Sequence, residues 1–263
     1  MSWALATARR LFKRTVERNQ LIPAGEPVLV GVSGGIDSLS LLQLLFDHNE
    51  RRRCGWLLRA VHVDPGFPGW SAARVTRACR LIGVECAVER LDVPALIRES
   101  VERPCHVCSR ARRRRLFELV RAGGASRLAL GHHVEDVNET FLMNLLFSAS
   151  GATCMMSQRL FKDTLTVIRP LYYFDNELIR RYAAATGIKR VRNRCPYERS
   201  GSRRAIRLFL NRLHRLEHRT TANLFWGIHN LKPDYLPPQR GRNRRAQETE
   251  GGADAPPDSP MGI

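Results

Sequence analysis

The most restrictive feature of this sequence is a glycine-rich turn directly after a short apolar run. The run Pro27–Val32 predicts a buried strand, and an apolar helix over Leu39–Phe46 follows the turn. The turn reads Ser33-Gly-Gly-Ile-Asp-Ser38. Two glycines let a backbone approach a phosphate closely, and a helix N-terminus adds partial positive charge. The segment predicts a strand–loop–helix unit with a phosphate site; an ordinary glycine turn with an Asp or Ser cap is the alternative.

Strand and helix patterns alternate along the rest of the chain. Further strands are predicted over Leu57–Val63, Glu85–Leu91, Ser126–Leu130 and Leu165–Arg169, and helices over Ser71–Ile82, Ser109–Ala122, Glu135–Phe147, Asn176–Thr186 and Ser202–Arg219. This alternation implies βαβ units, so we predict an α/β fold with a mostly parallel, Rossmann-like sheet and flanking helices. Ligand-binding loops are then expected at the carboxyl ends of the strands.

Composition shifts divide the chain into four predicted regions. Residues 1–24 form a basic amphipathic helix, residues 25–190 the main α/β domain, and residues 191–235 a C-terminal helical region. Residues 236–263 are rich in Pro, Gly, Arg and acidic residues, which predicts a disordered tail.

The charge balance predicts a polyanionic partner. Lys plus Arg is 43 and Asp plus Glu is 25, a formal net charge of +18. Neutralising phosphates releases counterions, so nucleic acid is favoured over a merely solvated basic surface.

No stretch is long and apolar enough to predict a membrane span. Seven cysteines, an odd number, without a secretion signal predict a reducing cytoplasm.

Polar residues follow three of the predicted strands and make up a candidate site. Asp37 in the glycine turn would hold Mg²⁺ bridging phosphates, since carboxylates are preferred ligands of that ion. Asp64 follows the second strand, and Gly131, His132 and Asp136 lie after the fourth. The alternative interpretation is that His132 and His133 are loop residues whose hydrogen bonds are satisfied within the protein and that take no part in a site.

Three of the cysteines lie in polar loops or turns suited to a shared metal centre. Cys105 and Cys108 form a CxxC pair, and Cys195 is separated from them in sequence. A lone CxxC also fits zinc or a redox pair. Our hypothesis is that three thiolates hold three irons of a [4Fe-4S] cluster and leave the fourth iron open to carry sulfide. Cys79, Cys86 and Cys154 have apolar surroundings, and Cys54 lies in a distant turn.

The turn sequence resembles the fingerprint Ser-Gly-Gly-x-Asp-Ser of the PP-loop ATP pyrophosphatases. The resemblance implies that the loop grips the pyrophosphate of ATP, which is cleaved between its α and β phosphates while AMP passes to a carbonyl oxygen. It implies catalytic roles for Asp37, Asp64 and Asp136. The residues expected to contact ATP are Ser33, Gly34, Gly35, Asp37, Ser38, His62, Gly131 and His132.

From Pro104 to Pro170 the chain is similar to the tRNA 2-thiocytidine synthetases within that group. The matching residues are Cys105, Cys108, Ser109, Arg110, Arg113, Leu130–His133, Asp136, Thr140, Asn144 and Ile168–Pro170. The resemblance implies a cluster on Cys105, Cys108 and Cys195, and thiolation of a cytidine, at position 32 of the tRNA anticodon loop. It also implies a sulfur donor such as a cysteine desulfurase. The chain departs from the family in having Ile36 where lysine is common.

Two basic runs are predicted to contact the RNA, and three rival functions stay open. The runs are Arg110–Arg115 and the set Arg203, Arg204, Arg207 and Arg212. The rivals are a lysidine-synthetase-like ligase that needs no cluster, a PP-loop ATPase acting on a small molecule, and a non-catalytic RNA-binding protein. Assembly into a homodimer also stays open.

Overall fold

The apolar runs of the sequence form the parallel strands of one sheet in the computed structural model, which describes residues 3–197 and 201–235. The predicted tail from residue 236 lies outside the described residues. Within them the strands are β1 (Pro27–Gly31), β2 (Leu57–Asp64), β3 (Cys86–Arg90), β4 (Arg127–Ala129), β5 (Ser157–Leu160) and β6 (Leu165–Ile168). The spatial order is β3-β2-β1-β4-β6-β5, and only β5 runs antiparallel to its neighbour.

Helices cover the sheet and extend beyond its β5 edge. Those in the described residues are α1 (Trp3–Arg18), α2 (Ile36–Arg52), α3 (Ala72–Ile82), α4 (Val93–Arg98), α5 (Pro104–Ala122), α6 (Val134–Ser148), α7 (Asn176–Thr186), α8 (Ser202–Leu216) and α9 (Thr220–His229), with a short 3₁₀ turn at Pro233–Tyr235. None of these helices combines the length and apolarity needed to cross a bilayer. The predicted α/β class with a mostly parallel sheet is confirmed.

The helix nearest the candidate site is held by an apolar face. Buried leucines at 39, 41, 42, 44 and 45 place α2 in the main core with Val28 and Val30 of β1. Phe12 is 1% exposed, so α1 joins the same core through an apolar stripe at helical spacing. Each such side chain stabilises the fold by about 2 kcal/mol on burial. The core therefore fixes the start of α2 at the carboxyl end of β1.

The strand order places the candidate site at a topological switch point. The chain leaves β1 toward β2 on one side, whereas β4 pairs with β1 on the other. Loops at the carboxyl ends of two such strands diverge and leave a crevice between them, the usual ligand site of an open α/β sheet. Residues 33–38 follow β1 and residues 131–133 follow β4, so both predicted loops line one crevice.

Several boundaries differ from those predicted. The CxxC pair was expected in a loop before a helix, but α5 begins at Pro104 and contains both cysteines in its first turn. Proline is well accommodated at the first position of a helix, which explains the earlier start. The edge strand β5 was missed because its sequence, Ser-Gln-Arg-Leu, lacks an apolar alternation. The last predicted helix, Ser202–Arg219, ends early at Leu216 as α8, and a further helix that was not predicted, α9, begins at Thr220.

Candidate nucleotide and thiol site

The glycine turn is held in shape by its two serine hydroxyls. The Ser38 hydroxyl donates to the Gly35 carbonyl (3.1 Å) and accepts from the Ser33 amide (3.2 Å). The Ser33 hydroxyl lies 3.1 Å from the Ser38 hydroxyl and accepts from the Gly35 amide at 3.2 Å. The first amides of α2 have no acceptor within the helix, so the turn presents N–H groups and the positive helix end to an anion.

Two glycines of the site are required by close packing. Gly34 has φ +86°, and a Cβ there would lie 2.9 Å from Val75 Cγ2 and 3.1 Å from Val191 Cβ. A Cβ on Gly131 would lie 3.1 Å from the backbone of Asp37 and Ser38. The loop after β4 therefore touches the start of α2 directly, which no larger residue permits.

His133 lies at the centre of a carboxylate cluster beside this turn. Its Nδ1 is 2.9 Å from Glu135, and its Nε2 is 3.4 Å from Asp136 and 3.7 Å from Asp37. Burial of this imidazole opposes its charged form, but Asp136, Glu135 and Asp37 outweigh burial and raise the pKa of His133 to about 9. His133 is therefore a buried cation at neutral pH, and it draws three carboxylates together.

The neighbouring His132 has the opposite charge state. Burial and then the guanidinium of Arg169 lower the pKa of His132 to about 3, so its ring is neutral. Arg169 Nε donates to His132 Nδ1 at 3.1 Å. A guanidinium has no acceptor, so Nδ1 must carry the lone pair and Nε2 the proton. His132 lines the cavity at the switch point and offers it an N–H donor.

The predicted site residues divide into those that line this cavity and those that do not. The cavity is lined by Ser33, Asp37, Ser38, Gly131, His132 and Asp136, together with Arg112 and Arg203, which were predicted only as RNA contacts. Burial raises the pKa of the half-buried Asp37, an effect opposed by His133.

Four of the predicted residues do not line the cavity: Gly34, Gly35, His62 and Asp64. Asp64 is buried, accepts from the Gly66 amide at 2.9 Å and lies 3.7 Å from Arg90. His62 accepts from the Trp70 indole at 3.0 Å through Nε2 and lies 2.7 Å from the Val32 carbonyl through Nδ1. Both ring nitrogens of His62 are thus satisfied within the protein. His62 does not line the cavity, and its predicted contact with the nucleotide stays a prediction.

The thiols of Cys105, Cys108 and Cys195 lie near enough to influence one another electrostatically. The pKa of Cys105 is raised by burial and by the nearby Cys195 thiol. The pKa of Cys108 is raised by burial, an effect that Arg112 opposes and that Cys195 and Cys105 reinforce. Cys195 lies far from the CxxC pair in the sequence, so only the tertiary fold brings it near them. In residues 3–197 and 201–235, no three His, Cys, Asp or Glu side chains are arranged to hold a single metal ion.

Arg112 joins the thiols to the cavity. It follows Cys108 by four residues on α5, hydrogen-bonds the Cys108 thiol and also lines the cavity. Residues four apart share one face of a helix, separated by about 6 Å of rise. Nothing in the basic run Arg110–Arg115 distinguishes Arg112 from its neighbours.

Most arginines predicted to contact RNA are paired within the protein. Arg110 pairs with Glu102 at 2.7 Å, and Arg115 pairs with Glu89 at 2.7 Å. The buried Glu139, a residue that sequence reasoning missed, accepts from Arg207 at 2.6 Å and 3.0 Å. These arginines therefore anchor α5 and α8 to the rest of the fold.

The switch-point crevice, the serine-braced glycine turn and the paired loops after β1 and β4 define a PP-loop nucleotide-binding protein. A family model described as a PP-loop domain matches residues 6–213. The tRNA-cytidine(32) 2-sulfurtransferase of Syntrophotalea carbinolica is 32% identical over 236 residues, covering 87% of this chain and 90% of that protein. The protein of the same name from Geobacter sulfurreducens is 33% identical over 231 residues, covering 85% and 89%. The chain belongs to the tRNA-cytidine(32) 2-sulfurtransferase family.

A solved structure supports the fold assignment. The U34-tRNA thiolase NcsA from Methanococcus maripaludis, solved with its [4Fe-4S] cluster, aligns with a TM-score of 0.70 at 20% sequence identity. The alignment covers 86% of this chain and 78% of that chain. The shared architecture agrees with the mostly parallel sheet and flanking helices described above.

Proposed function

We propose that this chain thiolates a cytidine of tRNA, at position 32, in a reaction driven by ATP. The observation that carries the proposal is that Arg112 lines the PP-loop cavity and lies beside Cys108, a thiol that interacts electrostatically with Cys105 and Cys195. In the proposed reaction the C2 oxygen of cytidine attacks the α-phosphate of ATP and pyrophosphate leaves. The C2–O bond then breaks, the oxygen departs with AMP, and a C2–S bond forms with sulfur at the oxidation level of sulfide. A donor such as a cysteine desulfurase would supply this sulfur as a persulfide, which a cellular thiol reduces by two electrons.

The glycine turn and its neighbours provide the binding of ATP. Amides of the turn and the start of α2 would bind the pyrophosphate, and the Ser33 and Ser38 hydroxyls hold those amides in place. Asp37 projects into the cavity and is the proposed ligand of Mg²⁺, which would neutralise charge on the leaving group. His133 stabilises the Asp37 carboxylate, and Arg203 lies 3.7 Å from Asp136.

His132 is suited to act on the reacting centre. Its proton is fixed on Nε2 by the bond from Arg169, so it would donate to a phosphate or carbonyl oxygen without changing charge. Asp136 accepts from the His133 amide at 3.2 Å, which orients the loop that presents both histidines. Asp64 is proposed to act indirectly, by shaping the turn after β2.

We assign the three cysteines to a [4Fe-4S] cluster rather than to zinc, because a four-thiolate zinc site needs a fourth cysteine. All seven cysteines lie in the described residues, and the other four, Cys54, Cys79, Cys86 and Cys154, lie elsewhere in the fold. When bound, a cluster held by three thiolates leaves one iron open for sulfur. Cys105 is exposed, and Arg112 opposes the rise that burial causes in the pKa of Cys108, an influence in the direction of the thiolate form needed for iron binding.

The first experiment measures iron and acid-labile sulfide after anaerobic purification. We expect about four of each per chain in the wild type and their loss in Cys105→Ser, Cys108→Ser and Cys195→Ser, because each removes a ligand. Cys54→Ser is the matched control, since Cys54 lies at the far end of α2, and should retain both. Zinc without sulfide would contradict the proposal.

The second experiment identifies the product. Nucleoside mass spectrometry of tRNA from cells with and without the gene should show 2-thiocytidine only where the protein is present. Complementation with Cys105→Ala should fail to restore it. If Cys105→Ala restores full modification, a cluster-independent ligase of the lysidine-synthetase type is the better interpretation.

A further inference from the structure

A second concave surface lies beside the glycine turn and shares no lining residue with the nucleotide cavity. It is a groove of about 610 Å³ between α2, α3 and the segment after α7. Its floor is apolar and includes Leu39, Ala78, Ile188 and Val191. Five exposed cations surround this floor, and we call the surface the basic groove: Arg74 and Arg77 from α3, and Lys189, Arg190 and Arg192 from the segment after α7.

The cations of the basic groove differ from the paired arginines of α5 and α8 in lacking carboxylate partners. Within the described residues, none of the five takes part in a salt bridge, whereas Arg110, Arg115 and Arg207 are all paired with glutamates. The five positive charges around the basic groove repel one another, and this repulsion is unfavourable for the fold. A bound polyanion would neutralise it. The apolar floor can accept the uncharged faces of sugars and bases.

The groove is connected to the reacting centre through one extended segment. The Val191 amide donates to the Gly34 carbonyl at 2.9 Å, and Asn193 Oδ1 accepts from the Ser71 amide at 3.0 Å. Cys195 lies two residues further along the chain. A chain of four residues spans at most about 14 Å, so Val191 and Cys195 are within that distance. The segment therefore runs from the groove, past the nucleotide turn, to the thiols.

We propose that the basic groove binds the phosphate backbone of the RNA substrate beside the nucleotide to be modified. This inference rests on the proposed function, because it assumes an RNA substrate. It assigns the RNA contact to Arg74, Arg77, Lys189, Arg190 and Arg192 in place of the paired arginines of α5 and α8. RNA phosphates bound in the basic groove would follow the segment toward Cys195. The target base would thereby be brought to the cavity.

The test compares two charge-matched triple variants of the full chain. The groove variant combines Arg77→Ala, Arg190→Ala and Arg192→Ala. The control combines Arg14→Ala, Arg18→Ala and Arg51→Ala, three exposed cations at the far ends of α1 and α2. Binding of fluorescent tRNA is measured by anisotropy across a series of salt concentrations, and ATP binding and thermal unfolding check that each variant is folded.

We expect the groove variant to weaken tRNA binding by at least about tenfold at 0.1 M salt, because three phosphate contacts are lost. The slope of log affinity against log salt should fall by about 2 to 3, at roughly 0.7 to 0.9 for each contact. The control should retain most of the affinity. Equal losses in both variants, or wild-type affinity in the groove variant, would overturn the assignment, as would a groove that captures an acidic protein while tRNA binding is unchanged.

The outcomes separate this inference from the proposed function. If the wild type carries iron and sulfide and thiolates tRNA while the groove variant does so equally well, only the groove assignment fails. If the wild type binds no tRNA at any salt concentration, both fail. Retention of iron and sulfide by the groove variant, with lost tRNA binding, supports the groove and shows that the thiol site is independent of it.

Discussion

Replacing His133 with glutamine should destabilise the protein strongly at neutral pH and weakly at alkaline pH. The substitution removes the cation that separates Asp37, Glu135 and Asp136 but retains a side chain of similar size. Three carboxylates would then share one partly buried site without a compensating charge, which disfavours their ionised forms. ATP binding should weaken as well, because the bound phosphates add further negative charge beside Asp37.

The expected magnitude follows from the pKa of the imidazole. Its pKa rises from 6.5 to about 9 on folding, which corresponds to about 3 kcal/mol of stabilisation. The folded-state pKa lies above the unfolded value, so this stabilisation is fully present below pH 6.5 and is lost as the pH rises through about 9. The difference between wild type and His133→Gln should therefore shrink from about 3 kcal/mol at pH 6.5 to a small fraction of that near pH 10.

Urea unfolding of both proteins at intervals between pH 6.5 and pH 10 measures this difference. His48→Gln is a suitable control, because burial lowers the pKa of His48, so a charge on this ring does not stabilise the fold. The effect of His48→Gln should not shrink as the pH rises toward 10. A constant difference between wild type and His133→Gln from pH 6.5 to pH 10 would refute the view that His133 is a buried cation.

Three further substitutions test other contacts. Gly34→Ala should abolish ATP binding measured by calorimetry, since the new Cβ meets two valines; Gly124→Ala has a similar positive φ (+67°) but open space around it, and should cost only about 1 kcal/mol of stability. Arg169→Met should lower kcat for tRNA thiolation with little change in KM for ATP, because the proton of His132 is no longer confined to Nε2; an unchanged kcat would argue against that role. Glu139→Gln should lower the free energy of unfolding by about 3 kcal/mol in urea denaturation, since the arginines of α8 lose a buried carboxylate, and a loss below about 1 kcal/mol would mean that the helix is held by other contacts.

The part of the fold that follows local patterns was predictable. Continuous apolar runs identified the five parallel strands, and Ser33–Ser38 identified the phosphate turn because glycine, serine and aspartate have definite tasks there. β5 was not predictable, since it is specified by pairing with β6 and its own sequence carries no periodic signal. The start of α5 depended on recognising Pro104 as a first-turn residue.

The arrangement within the site was predictable only in outline. The candidate residues were named from their order in the chain, but their orientation depends on tertiary partners. Asp64 accepts a hydrogen bond from Gly66, and His62 accepts one from Trp70, although both lie at the carboxyl end of β2, beside the crevice. The opposite charge states of His132 and His133 arise from Arg169 on one side and carboxylates on the other. Adjacent residues in a sequence carry no information about such different surroundings.

The position of Cys105 and Cys108 at the start of α5 sets the distance between the thiols and the nucleotide cavity. A helix is stiff, so Cys108 and Arg112 keep a constant separation while surrounding loops fluctuate. Any tilt of α5 shifts the thiols and the cavity wall together, and the gap between them stays about one helical turn. The pitch of α5 therefore sets the spacing between the thiols and the wall of the nucleotide cavity.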